Sequence, residues 1–292
     1  MKIIDAHNHP DWLGHNFDKT IANMDRYGIS QTWLLSWECK ADEYHDGTPA
    51  VVPAPVLGSV TGPIPFSRCI AYAEKAPDRF ILGYAPDPRD PQACRKLIAA
   101  KEIYGARLCG ELKCRIMYNN PDCLRLLRTA GNLGMPVTLH FGYDFQLTYE
   151  DRRREWWGGT IHTLEDMLKS CPDTVFLGHA PGFWIHISDD DLWQSDQYPT
   201  GSVPVKRDGE ITRLLRKYPN LYCDISAGSG LRALQRDVEF AKEFILEFQD
   251  RVLYARDCFH NDHQDFLNSL ALPADVMEKL YHGNAEKLLG DA

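Results

Sequence analysis

Residues 1–10 read MKIIDAHNHP. The apolar pair Ile3-Ile4 passes at once into Asp5, His7 and His9. Side chains two apart on a β-strand share a side, so Asp5, His7 and His9 are predicted to share one face of a first strand that runs far enough. Two imidazoles at that spacing either ligate a metal or form an ordinary polar strand end, and the rest of the chain has to decide between the two. Asp5 is expected to orient a neighbour by hydrogen bonding.

Short apolar runs of the same kind recur. Strands are predicted over Lys2–Ala6, Gln31–Ser36, Phe80–Tyr84, Ala106–Lys113, Pro136–Phe141, Thr174–Gly178, Leu221–Ile225 and Val252–Ala255. Helical periodicity lies between several of them. Ile161, Leu164, Met167 and Leu168 form a buried stripe that Cys171-Pro172 ends; Ile211, Leu214, Leu215 and Tyr218 repeat it; and a helix from Pro91 to Ile103 is stopped by Gly105. Strands alternating with helices imply parallel pairing. Eight such units in 292 residues, with no break in composition, fit a single (β/α)8 barrel domain over residues 1–292. A doubly wound sheet would bring a glycine-rich phosphate loop after the first strand, and none is present. Long loops follow strands 2, 5 and 6: Glu38–Ser67, Gly142–Gly159 (with Tyr143, Phe145, Tyr149, Arg152, Arg153, Arg154, Trp156 and Trp157) and Ala180–Asp208 (with Phe183, Trp184, His186 and Trp193). In a barrel all three lie over the C-terminal face.

Composition bounds the function. Hydrophobic residues make up 44% and charged residues 25%, the balance of a globular chain. A net charge of −9 gives no support to a nucleic-acid or membrane-surface partner. No apolar run reaches the roughly 18 residues of a membrane helix, and the N-terminus does not read as a signal peptide. The nine cysteines are scattered without a CxxC pair, as reduced and mostly buried thiols are. The expectation is a cytoplasmic protein with a small-molecule substrate, as a monomer or a homo-oligomer.

Polar residues stand where the strands end: His7 and His9 on the first, Glu111 and Lys113 in GELK on the fourth, His140 in VTLHFG on the fifth, His179 in FLGHAPG after the sixth, Asp224 in YCDIS on the seventh, Asp257 in LYARDC after the eighth. Such groups are rarely buried unpaired. In a closed barrel they converge on one mouth, and imidazoles with carboxylates are ligands for zinc or a similar divalent ion. Asp224 is read as a structural, hydrogen-bonded strand end. His260, Asp262 and His263 are read as the start of a helix.

This ordered set resembles the amidohydrolase superfamily. DAHNH, LHFG, LGHAPG and the closing HGNAEKLLG are most similar to its branch of barrel hydrolases and decarboxylases related to aminocarboxymuconate semialdehyde decarboxylase, over residue 5 to about residue 290. The resemblance implies one or two divalent ions, zinc foremost, on His7, His9, His140 and Asp257, with His179 as a second-shell acid/base or a ligand to a second ion. Glu111 is favoured over Lys113 as the strand-four ligand, since Lys113 would need carboxylation first. Lys113, Arg115 and the Arg152–Arg154 run offer cations for a substrate carboxylate. Many relatives carry a small residue where this chain has Arg256, which is expected to face away from the site or lie at its rim. The expected activity is hydrolysis of a C–N or C–O bond of a small anionic substrate, Asp257 taking a proton from water and His179 stabilising the oxyanion. Non-oxidative decarboxylation on the same residues is the alternative. A TatD-like nuclease, disfavoured by the charge, and a non-catalytic barrel stand behind it.

Overall fold

The computed structural model describes residues 1–40, 43, 64–142, 156–194, 198 and 203–290. Eight parallel strands follow one another in chain order: β1 (Ile4–Asn8), β2 (Gln31–Leu35), β3 (Phe80–Gly83), β4 (Cys109–Leu112), β5 (Val137–His140), β6 (Phe176–His179), β7 (Leu221–Asp224) and β8 (Val252–Leu253). They pair as β1-β2-β3 and β4-β5-β6-β7-β8. Two seams close the ring. Gly83 bridges Leu108 between β3 and β4, with Tyr84 N–H donating to the Leu108 carbonyl at 3.0 Å. Ala6 N–H donates to the Tyr254 carbonyl at 3.1 Å between β1 and β8. The expected (β/α)8 barrel is therefore the observed one, with strand ends shifted by up to three residues.

Helices form where local signals permit. Asn16, Asn120 and Asp237 each accept a backbone N–H at a helix start, Thr160 and Thr163 form a reciprocal cap, and Gly105 ends Ala93–Tyr104 with φ 68°. These caps satisfy orphan N–H groups that a helix cannot satisfy itself. The helices pack an apolar layer that includes Leu97, Leu126, Leu127, Leu164 and Met167 against the outward side chains Leu34, Leu82, Val137, Leu139 and Phe176. No helix among the described residues is long and apolar enough to cross a membrane.

A second apolar cluster fills the barrel lumen. Ile4, Ala6, Trp33, Leu35, Leu108, Leu177, Tyr222, Leu253 and Ala255 meet there from opposite walls. Gly83 belongs to this layer, since a Cβ on it would lie 2.6 Å from Leu35 Cδ2 and 3.1 Å from Leu108 Cγ.

Strict alternation fails at two places. On β1, Asp5 lies opposite Thr32 but Asn8 opposite Leu34, and on β4, Cys109 lies opposite Val137 but Leu112 opposite Leu139. Each is a β-bulge, one extra residue that reverses which side chains face inward. Below the bulge Ile4 and Ala6 face the lumen; above it His7 and His9 do. The expectation that Asp5 shares the face of His7 and His9 is thereby overturned. Asp5 points away from the lumen, where it accepts from Arg256 Nε at 2.9 Å, Arg256 N at 2.8 Å and Asn8 Nδ2 at 3.2 Å. Arg256 faces away from the site as expected, but it is buried there and not at the rim.

The helix Asp262–Ser269 begins where the His260–His263 stretch predicted one, Asn261 standing at its cap position. All nine cysteines are free, seven of them buried. Tyr143, Phe145, Tyr149, Arg152, Arg153 and Arg154 of the fifth loop and most of the second lie outside the described residues.

Candidate metal centre

The six residues expected at the mouth come together there. Glu111, raised into the lumen by the β4 bulge, stands at the centre. Its Oε2 lies 3.2 Å from His9 Nε2 and 3.8 Å from His7 Nε2. Its Oε1 lies 2.6 Å from His140 Nδ1 and 3.5 Å from His179 Nε2. One carboxylate thus presents a separate oxygen to each of two histidine pairs. Asp257 Oδ1 closes the ring 3.6 Å from His9 Nε2. Three combinations, His7/His9/Glu111, His7/His179/Asp257 and Glu111/His140/His179, bring their donor atoms within 4.8 Å of one another.

Groups behind this ring fix how the imidazoles face. The Leu35 carbonyl lies 2.8 Å from His9 Nδ1. Asp224 places Oδ2 3.1 Å from His7 Nδ1 and Oδ1 3.0 Å from His179 Nδ1. Carbonyl and carboxylate oxygens only accept, so the three Nδ1 atoms carry the protons and each Nε2 turns its lone pair to the centre. Ser226 steadies the arrangement by donating its hydroxyl to Asp224 Oδ1 at 2.6 Å, and Trp184 Nε1–H donates to the Asp224 carbonyl at 3.0 Å.

Charge makes the cluster unusual. Burial would raise the Glu111 carboxyl, but the imidazoles of His140, His7 and His9 outweigh burial and hold it well below the usual range. Asp224 is likewise held low against burial by His179 and His7. Burial works to lower His7, yet Asp224 and Glu111 outweigh it and raise this imidazole well above its ordinary value. Burial, with the Lys113 ammonium nearby, pushes His140 down to about 3. Carboxylates packed this densely against imidazole lone pairs make a site for a cation.

Two buried atoms test whether a divalent ion fits. His7 Nε2 and Asp257 Oδ1 have no hydrogen-bond partner among the described residues. Leaving such groups unsatisfied costs about 1–3 kcal/mol each. Both belong to one of the three donor sets and both point into the ring, so the donor set fits a metal.

Lys113 lies beside the ring and outside it. Its Nζ sits 4.1 Å from the ring centre of Trp37 and 4.9 Å from that of Trp157, and Trp37 Nε1–H donates to the Lys113 carbonyl at 2.9 Å. Trp157 stands edge-on to His140 at 5.5 Å. That approach requires Gly142, where a Cβ would meet Trp157 Cε3 at 2.6 Å. Of the two strand-four candidates, Glu111 is therefore the one inside the ring of candidate ligands.

Comparison with known proteins follows the geometry. The model of the amidohydrolase family matches residues 4–290. The chain belongs to the amidohydrolase family. It is a metal-dependent enzyme of that family, as the ordered motif implied. No curated protein is significantly similar to it in sequence. Among solved structures, this amidohydrolase is similar to 2,6-dihydroxybenzoate decarboxylase from Rhizobium, at 16% identity over 99% of this chain and 98% of that one, TM-score 0.61. It is similar to a dihydroxybenzoic acid decarboxylase from Polaromonas sp. JS666 with bound manganese and the inhibitor 2-nitroresorcinol, at 18% identity over 99% and 96%, TM-score 0.62. It is also similar to a probable 2-pyrone-4,6-dicarboxylic acid hydrolase from Acinetobacter baumannii with citric acid bound, at 12% identity over the whole of both chains (100% each), TM-score 0.55. At these identities the likeness is one of fold.

Asp224 is the residue whose reading changes most. It is a hydrogen-bonded strand end, as expected, but the bonds it makes aim two candidate ligands. The signal was present, because YCDIS ends an apolar strand in an acid just as the other candidates do. Trp12, Trp37 and Trp157 carried no comparable signal.

Proposed function

We propose that this amidohydrolase is a non-oxidative decarboxylase of a small carboxylic acid, acting on a divalent ion held by His7, His9, Glu111, His140, His179 and Asp257. The observation that carries this reading is Lys113. Its ammonium is held between two indoles beside His140, and among the described residues no carboxylate lies within ion-pair distance. A cation in that position, next to an otherwise acidic site, suits a substrate carboxylate. The decarboxylases among the structural relatives support the same choice.

When bound, the ion supplies positive charge that fixes a substrate oxygen and offsets the surrounding carboxylates. The chain's own residues supply the rest. Lys113 holds the carboxylate to be lost, and the indoles of Trp37 and Trp157 keep water from its ammonium. Asp257, protonated at Oδ1, gives that proton to the carbon bearing the carboxylate. The bond to the carboxylate then breaks, its electron pair stays with the carbon skeleton, and CO2 leaves; Asp257 regains its proton from water. Asp224 keeps the rings of His7 and His179 turned to the centre throughout. Hydrolysis of a C–N or C–O bond uses the same groups in another order, with Asp257 Oδ1 taking a proton from water; the hydrolase among the relatives keeps this as the second reading.

The test is elemental analysis of the purified protein, which also tells one ion from two, followed by a panel of aromatic and aliphatic carboxylic acids, lactones and amides. CO2 release from an acid, lost by a factor of about 10² or more in Asp257→Asn with metal retained, is the expected result. Cleavage of lactones or amides without CO2 release would replace decarboxylation by hydrolysis, and a metal-free, inactive protein would overturn both.

A further inference from the structure

We infer that Trp12 is a positioning residue that holds Asp257 against the metal centre, an inference that rests on the metal reading above. Asp257 has a left-handed backbone, φ 49°, which residues other than glycine adopt at a cost. Both of its backbone groups are tied to the segment that carries His7 and His9. Its N–H donates to the His7 carbonyl at 2.8 Å, and its carbonyl accepts from Trp12 Nε1–H at 3.1 Å. The Trp12 ring also stands against His9, 5.1 Å between centres at 64°. A single side chain thus touches the second candidate ligand in the chain and anchors the last.

Trp12 is itself aimed. Asp11 before it and Leu13 after it are left-handed, φ 58° and 50°. Asp11 is held there by Tyr72 Oη at 2.9 Å and Arg68 Nε at 2.8 Å, both from the helix Phe66–Lys75. The turn after β1 and the turn after β8 are joined at three further points: Asn8 Nδ2 donates to the Cys258 carbonyl at 3.0 Å, Asn23 Nδ2 to the Phe259 carbonyl at 2.9 Å, and His15 stacks on Phe259 at 3.7 Å. These would keep the two turns together without Trp12. Of the side-chain contacts joining the turns, the Trp12 bond alone ends on Asp257, so its loss frees the peptide that sets the direction of the Asp257 carboxylate while the fold stays closed.

The experiment uses the full chain, stripped of metal by chelation and titrated with Co2+ while its visible absorption, which reports the number and geometry of the ligands, is followed. Trp12→Phe keeps a ring against His9 and removes the N–H. Placing 3-benzothienylalanine at position 12 keeps the ring shape as well, which guards against a packing fault in the Phe variant. Both variants are expected to bind Co2+ about tenfold more weakly with a shifted band, at an unchanged melting temperature of the metal-free protein. Wild-type affinity and an unshifted band in either folded variant would overturn the inference. So would a purely structural result, a lower melting temperature with the band in place. A wild-type chain that binds no Co2+ would instead defeat the metal reading, and the role of Trp12 with it.

Discussion

Asp224 accepts two imidazole protons on separate oxygens, from His7 at 3.1 Å and His179 at 3.0 Å. An amide cannot do this. In Asp224→Asn one position is an NH2, which faces one of the two Nδ1–H groups as donor against donor and drives that ring toward the other tautomer, with its proton on Nε2. Groups that orient metal-binding imidazoles are commonly worth 10- to 100-fold in metal affinity. Asp224→Asn is therefore expected to weaken metal binding by about that factor, read by competition with a chromophoric chelator; an affinity equal to the wild type would show that Asp224 only braces the strand. The candidate ligands were legible in the sequence because each ends an apolar strand, where a charged or imidazole side chain has no cheap reason to be. What sits behind them was not. The aim of Asp224 at two rings, and of the Trp12 N–H at one carbonyl, depends on contacts across more than forty and two hundred residues of chain respectively, which no local pattern encodes.

Strands β1 and β4 show where element-level reading stops. Eight apolar runs separated by helical stripes suffice for a parallel barrel, but period two assigns a face only while pairing stays regular. The bulges in β1 and β4 arise from pairing with β2 and β5, so the reversal that lets an apolar lumen and a polar mouth share one side of a strand is set by the neighbour. On β1 the reversal sends Asp5 outward to a fully buried Arg256. This pair spans the β1/β8 seam directly beneath His7 and Asp257, and Arg256 Nη1 reaches on to Asn23 Oδ1 at 2.9 Å. Removing one partner of a buried pair leaves the other charge without compensation, at about 3–5 kcal/mol. Arg256→Met is expected to lose that much stability in urea unfolding. Asp5→Ala should lose at least as much, since the Arg256 N–H and Asn8 also lose their acceptor. The double variant should lose clearly less than the sum of the two. Strict additivity would mean that the two side chains close the seam independently.

At the scale of the whole molecule, the candidate ligands run from residue 7 to residue 257 and come from five of the eight strands or the turns that follow them. The seam that the ring of ligands spans is also the one where the chain closes on itself, by Ala6 N–H to the Tyr254 carbonyl and by Asp257 N–H to the His7 carbonyl. In the unfolded chain these groups are far apart and bind an ion weakly, whereas in the barrel they converge with two donor atoms still unsatisfied. An ion that binds only the folded form stabilises it by about 2.7 kcal/mol at one hundred times its dissociation constant. In a chain of this size that corresponds to a rise in melting temperature of roughly 5–10 °C. Chelation is accordingly expected to lower the melting temperature by that amount, with recovery on adding Mn2+ or Zn2+ and none on adding Na+. Substituting Ala for both His7 and Asp257 should abolish the recovery, because it removes a donor from every set but the one around Glu111, His140 and His179. A melting temperature indifferent to chelator and metal would mean that the mouth of the barrel is held by its hydrogen bonds alone, and that the converging ring is not a metal centre.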